Sequence, residues 1–272
     1  MYSSVETNFW PITESLEGGP SSAGGNINYM LLDSDGRIST SLGIDFDGGS
    51  KTPDPAVSIS QGLQRLNKTS ILWKKYTGGP LATADVADKP EIEAEWRRLF
   101  DYRERTRASK EAWGKWYEFS PTSANADRRA RLVAEPGEFY RAASKHLTDN
   151  ETTIQNSGLY PNYDNWPADA QLGILLMAWN GVYWLTGPDS MKGVYKLFRG
   201  FLQKNPPDFM GAAGQSAIRD PDHPNNQSLA RRSDLINTMF VNAQTVADPV
   251  WAKGYNKTQV YWPVNILRPF TP

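Results

Sequence analysis

The chain has 272 residues, enough for one large or two small domains with a proper core, and its 39% hydrophobic and 22% charged residues are those of a folded, water-exposed protein. A formal net charge of -1 excludes a general electrostatic attraction to nucleic acid or to an anionic membrane. The lack of cysteine excludes disulfides and thiolate chemistry, and two distant histidines, His146 and His223, exclude a histidine-rich metal site.

In chain order, the N-terminal stretch has no basic start followed by an apolar run, so no signal peptide is expected, and no segment reaches the roughly 18 apolar residues that span a bilayer. Phe9, Trp10 and Ile12 pack down a first helical segment that ends near Glu17, with Glu14 one turn earlier. A Gly- and Ser-rich link follows. Tyr29 to Leu32 and Ile38 to Leu42 then suit two short strands, and Asp33 to Gly36 between them supplies the polar residues and the glycine of a hairpin turn. Asp33 is thus expected where strand becomes turn, held by the sheet but facing solvent. Two carboxyl groups in different surroundings can divide acid and base work. Glu17, near apolar Leu16 and Ile12, would stay protonated, and Asp33, in a polar turn, would stay ionised. A Glu and an Asp sixteen residues apart are also commonly two solvated surface groups, so spacing alone leaves both readings open.

Breakers at Asp45 to Gly49 and Thr52 to Pro55 close this region, and the apolar spacing from Pro55 to Trp73 predicts a helix leading out of it. From Ala84 to Arg107, Ile92, Trp96, Leu99 and Phe100 fall on one helical face. Residues 108–135 lack periodicity and carry no assignable role. Phe139 to Leu147 and Thr152 to Ile154 predict another helix, and Tyr160 to Trp166 a polar, aromatic turn. Pro167 to Leu185 is apolar nearly all round, which predicts a helix buried at the centre of a helical body. Further helices are predicted over Met191 to Leu202 and Phe209 to Ile218, Arg219 to Asn226 reads as a polar loop, and the aromatic, proline-rich tail predicts an extended strap.

Several of these stretches together resemble the phage-type lysozymes, glycoside hydrolase family 24. In that family an E-G pair precedes a Y-x-D-x-x-G-x-x-T-x-G-x-G hairpin; Glu17-Gly18, Tyr29 to Asp33, Gly36, Ser39 and Leu42-Gly43 are similar to that signature, and Asp33, Gly36 and Ser39 keep its spacing. Ser39 stands where the family has Thr, Ser41 where it has Gly, and the link after Glu17 is longer than in the shortest members. Gly78 to Ala82 followed by Glu95-Trp96 is similar to a family turn and helix. The run Trp166 to Trp179 follows the W-P-A-D-A-Q-L-A-L-L-S-M-A-W line of some members, and Asn225 to Val246 is similar to the closing helix.

The resemblance implies an α+β, mostly α, lysozyme-like bilobal fold. It would be a single domain over residues 1–272, with a small β-hairpin lobe at 1–55, a helical lobe at 56–246 and a strap at 247–272, and a cleft between the lobes that binds peptidoglycan. The implied activity is hydrolysis of the β-1,4 bond between N-acetylmuramic acid and N-acetylglucosamine, and it implies no cofactor and no metal. Glu17, with Glu14 in reserve, would protonate the leaving oxygen, Asp33 would orient or deprotonate the water, and Ser39 would hold that water or Asp33. An inverting reaction places such carboxyl groups about 6.5–9.5 Å apart. Tyr29, Tyr160, Tyr163 and Trp166 would lie along the glycan, and Arg232 would hold Glu17, although an exposed arginine at a helix start is an equal alternative. The implied partners are peptidoglycan strands and an immunity or inhibitor protein, with no nucleic acid, and a monomer is expected. Action on the cell wall without a signal peptide implies delivery by a phage or a secretion system. The rival implication is a binding module of the same fold with weak or lost catalysis.

Overall fold

The computed structural model describes residues 1–17, 27–33, 36–46, 55–179, 185–187, 194–217, 227–250, 252–264 and 266. These are mostly helical, with two small antiparallel strand pairs. The helices are α1 (Ser3–Glu17), α2 (Pro55–Thr69), α3 (Lys89–Thr106), α4 (Pro136–Asn156), α5 (Ala168–Trp179), α6 (Val194–Leu202), α7 (Phe209–Ala213) and α8 (Gln227–Ala247). The strands are β1 (Leu31–Leu32), β2 (Ile38–Ser39), β3 (Trp73–Lys75) and β4 (Leu132–Ala134). No helix among the described residues is long and apolar enough to cross a membrane. No group of three or more His, Asp or Glu among them is placed to hold a metal ion.

The chain divides into two compact units, Glu17–Lys145 and Met1–Leu16 with His146–Pro272. The hairpin β1–β2 packs with α3, which joins it to the elements after it, while the apolar face of α1 joins a core built by the later helices.

In the unit Glu17–Lys145, β3 pairs with β4 in the register Trp73 to Ala134, Lys74 to Val133 and Lys75 to Leu132. The helix predicted up to Trp73 stops at Thr69, where Ser70 turns to a φ of 52°, and the chain leaves as a strand. Around Trp73 stand Phe46 and Phe139, with ring centroids 6.4 and 6.0 Å away. All three rings are fully buried, and each such phenylalanine contributes about 1.5–3 kcal/mol through the apolar surface it removes from water. Helix α3 begins with a capping box: the Asp88 side chain accepts the Glu91 amide at 2.9 Å, and the Glu91 carboxylate accepts the Asp88 amide at 2.9 Å. Its apolar face buries Trp96, Leu99 and Phe100, and Trp96 stacks on Phe100 at 5.3 Å. Glu95, 3% exposed, is neutralised by a bidentate contact with Arg98 at 2.8 and 2.9 Å and accepts the Arg131 amide at 3.0 Å.

In the other unit, α5 is buried on every side, as its continuous apolarity demands, and packs most extensively against α8. Val5, Phe9 and Ile12 of α1 enter the same core, and the Phe9 ring lies edge-on to Trp179 at 5.3 Å. The tail is a strap held by buried polar side chains. Asp169 accepts the amides of Tyr261 at 2.8 Å and Trp262 at 3.0 Å, and the Asn242 side chain at 3.5 Å. Asn242 in turn donates to the Val264 carbonyl at 2.8 Å and accepts the Ile266 amide at 3.0 Å. Three backbone amides and one carbonyl of the strap are thereby satisfied.

Candidate functional site

The hairpin forms as its residues demand. Leu31 pairs with Ser39 and Leu32 with Ile38. The Asp33 amide donates to the Arg37 carbonyl at 3.0 Å, and the Gly36 amide donates to the Asp33 carbonyl at 3.0 Å. Gly36 adopts a φ of +78°, the left-handed conformation that ends a three-residue hairpin loop. The Asp33 carboxylate then accepts the Arg37 amide at 2.8 Å, so side chain and main chain close the turn together. Asp33 is half-buried. Ser34 and Asp35 lie outside the described residues.

Side chains alternate across a strand, so the register puts Asp33 and Ser39 on the same face of the hairpin, as diagonal neighbours. Diagonal positions on a hairpin lie about 7–8 Å apart residue to residue. Ser39 itself is 8% exposed. Beyond it the strand ends: the Thr40 hydroxyl donates to the Tyr29 carbonyl at 2.7 Å, its amide donates to the Ile44 carbonyl at 3.0 Å, and Leu42 turns to a φ of 60°. The Ser41 hydroxyl is buried without a hydrogen-bond partner.

The turn is braced from outside. Arg103 of α3, 8% exposed, donates to the Gly36 carbonyl at 3.4 Å while its guanidinium lies over the Phe100 ring at 4.6 Å. The Trp113 ring lies so close to Gly36 that a Cβ there would sit 2.5 Å from its Cζ3. Neither Arg103 nor Trp113 stood out in the sequence as a site residue.

The other expected site residues are placed as follows. Glu17 is the last residue of α1, and its side chain lies outside the described residues, as do the link at 18–26 and Asn225 and Asn226. Glu14 is half-buried. Tyr29 is not a glycan-facing ring: it is 2% exposed, burial pushes its hydroxyl up to about 12, and it donates to the Trp116 carbonyl at 3.1 Å. Tyr160, Tyr163 and Trp166 are also core residues, 2–4% exposed. Trp166 lies 6.0 Å from Tyr160, 5.6 Å from Tyr163 and 5.5 Å from Phe209, and the Tyr160 hydroxyl donates to the Leu185 carbonyl at 2.8 Å. Burial raises the pKa of both tyrosines. The 3-10 turn Tyr163–Asn165 folds these rings inward against α5, which corrects the expectation that they line a sugar-binding surface. Arg232 is 4% exposed in α8 and is not an exposed arginine at a helix start. Its expected partner, the Glu17 carboxylate, lies outside the described residues.

The register puts a carboxylate and a hydroxyl on one face of the hairpin. Comparison of the chain with models of protein families, with curated proteins and with solved structures finds no match.

Proposed function

We propose that the chain is a peptidoglycan hydrolase of the lysozyme-like fold, cleaving the β-1,4 bond between N-acetylmuramic acid and N-acetylglucosamine. The observation that carries the reading is the hairpin turn, in which the carboxylate of half-buried Asp33 is oriented by the Arg37 amide and shares a face with Ser39. A carboxylate held by the backbone of its own turn is in a fixed orientation, as a group that orients a water must be. In this proposal Glu17 supplies the proton to the leaving oxygen, Asp33 and Ser39 hold the attacking water, and the reaction inverts the anomeric centre. The protein would act on the cell wall, delivered by a phage or by a secretion system, and an immunity protein would be its counterpart in the second case.

The burial of Ser39 favours a second reading, a peptidoglycan-binding module with little or no turnover, because a hydroxyl 8% exposed has limited access to solvent. Release of dye from covalently labelled sacculi separates the two. Release by the wild type and none by Asp33→Asn supports hydrolysis. Sacculus binding without release supports the module, and neither binding nor release rejects both.

A further inference from the structure

The segment from Ser109 to Phe119, to which the sequence assigns no role, grips the hairpin at three points. The Trp113 ring covers Gly36, the Gly114 amide donates to the Leu32 carbonyl at 3.1 Å, and the Trp116 carbonyl accepts the Tyr29 hydroxyl at 3.1 Å. Leu32 is the neighbour of Asp33, Gly36 closes the Asp33 turn, and Tyr29 precedes it on the same stretch. On its other side the segment is fastened to α3. Arg128 donates to the Tyr102 hydroxyl at 2.8 Å, to Glu118 at 2.8 Å and to Glu111, and the Phe119 ring is buried edge-on against Tyr102 at 5.8 Å. The backbone from Trp113 to Phe119 is therefore held between the hairpin and α3.

What this fastened backbone presents outward is aromatic. Trp116 is half-buried and Tyr117 is 54% exposed, and the two rings meet edge to face at 5.8 Å. Exposed Lys115 and half-buried Glu118 flank them. An aromatic face with charged groups at its rim suits a pyranose ring, whose C–H faces are apolar while its hydroxyl and acetamido groups radiate from the edge.

We infer that Trp116 and Tyr117 form a stacking subsite for an N-acetylated sugar of the glycan strand, beside the hairpin that carries Asp33. The inference rests on the reading of Asp33 as the water-orienting carboxylate. Trp113 is a positioning residue in it, since its ring is spent on Gly36 and not on sugar.

Tyr117→Ala tests it, because an exposed side chain can be removed without opening the core, and the Tyr117 carbonyl that accepts the Ser120 amide at 3.3 Å is retained. The probe is the hexamer of N-acetylglucosamine, titrated into Asp33→Asn protein with tryptophan fluorescence as the readout. Tyr117→Ala in that background is expected to raise the dissociation constant about tenfold, the scale of one aromatic contact, and Tyr117→Phe to restore it. In the otherwise wild-type enzyme the same change raises KM and leaves kcat within about twofold. Asp33-dependent hydrolysis with binding and KM unaffected by Tyr117→Ala would overturn the subsite alone. Weakened binding in a chain that hydrolyses nothing would keep the subsite and overturn the hydrolase. A wild type that neither binds the hexamer nor cleaves sacculi would overturn both.

Discussion

Asp33 and Arg37 are bonded twice, the Asp33 amide to the Arg37 carbonyl at 3.0 Å and the Arg37 amide to the Asp33 carboxylate at 2.8 Å. One carboxylate oxygen is thus fixed by the backbone of the turn it belongs to. An asparagine keeps an acceptor for the Arg37 amide, so Asp33→Asn removes charge while leaving the turn closed. The melting temperature should change little, and circular dichroism in a thermal scan checks that any lost activity is chemical.

Ser39 gives a finer test of water positioning. Ser39→Ala should lower turnover on sacculi about tenfold, the loss of one hydrogen bond in the transition state, while Ser39→Thr keeps the hydroxyl and should keep most of the rate. Equal turnover in all three proteins, measured at matched stability, would remove Ser39 from the mechanism.

Gly36 couples the brace to the turn. A residue with a Cβ at a φ of +78° carries about 1–2 kcal/mol of strain, and the Trp113 ring blocks the space that the Cβ needs. Gly36→Ala should therefore destabilise the protein by about 2–4 kcal/mol in urea unfolding, with overpacking adding to the strain. Trp113→Ala in the same chain should recover the part due to the clash and none of the part due to φ.

Much of the fold can be read from the residues, where local pattern and tertiary context agree. The run Pro167 to Leu185 is too apolar to face water on any side, and α5 is buried throughout. Trp96, Leu99 and Phe100 share a helical face, and that face of α3 is the buried one. The polar residues and glycine from Asp33 to Gly36 foretell the hairpin, though Ser41 to Gly43 turn away as a 3-10 segment instead of extending the second strand.

What escapes the reading depends on distant partners. Trp73 to Lys75 looks like the end of a helix, because the strand that pairs with it, Leu132 to Ala134, lies far along the chain in a stretch without periodicity. Tyr160, Tyr163 and Trp166 sit among polar residues, and only the packing of their turn against α5 decides that they are core. Asp169 reads as a favourable acid in a first helical turn, but its actual work is to hold the strap. The visible signal for the aromatic face near the hairpin is a run of four large rings, Trp113, Trp116, Tyr117 and Phe119, within a polar segment.

Gly62 in α2 stands against Trp96 in α3. A Cβ there would lie 2.2 Å from the Trp96 Cζ2 inside the core. Alanine would gain up to about 1 kcal/mol of helix propensity, but overpacking costs about 1–3 kcal/mol, so Gly62→Ala should be net destabilising. Urea unfolding of the variant checks the sign, and an increase in stability would mean that the two helices separate more easily than their packing indicates.

Asp169 makes stability depend on pH. Desolvation raises its pKa against the opposing effect of the Tyr261 and Trp262 amides and the Asn242 side chain. The folded state then binds its proton more tightly than the unfolded chain does. Its contribution to stability is complete below the ordinary aspartate range and declines as pH rises through the raised folded value. The stability lost in Asp169→Asn should therefore be greater near pH 4 than near pH 7, as read by urea unfolding of both proteins at each pH. A loss that grows with pH would show a carboxylate stabilised by its donors in the fold.

The central claim is that Glu17 and Asp33 together cleave the glycan strand, and the measurement that reaches it most directly is muropeptide release from purified sacculi, analysed by chromatography and mass spectrometry. The account predicts products ending in reducing N-acetylmuramic acid from the wild type and none from Glu17→Gln or Asp33→Asn. Products that persist in both variants, or no product from a wild type that still binds sacculi, would contradict it.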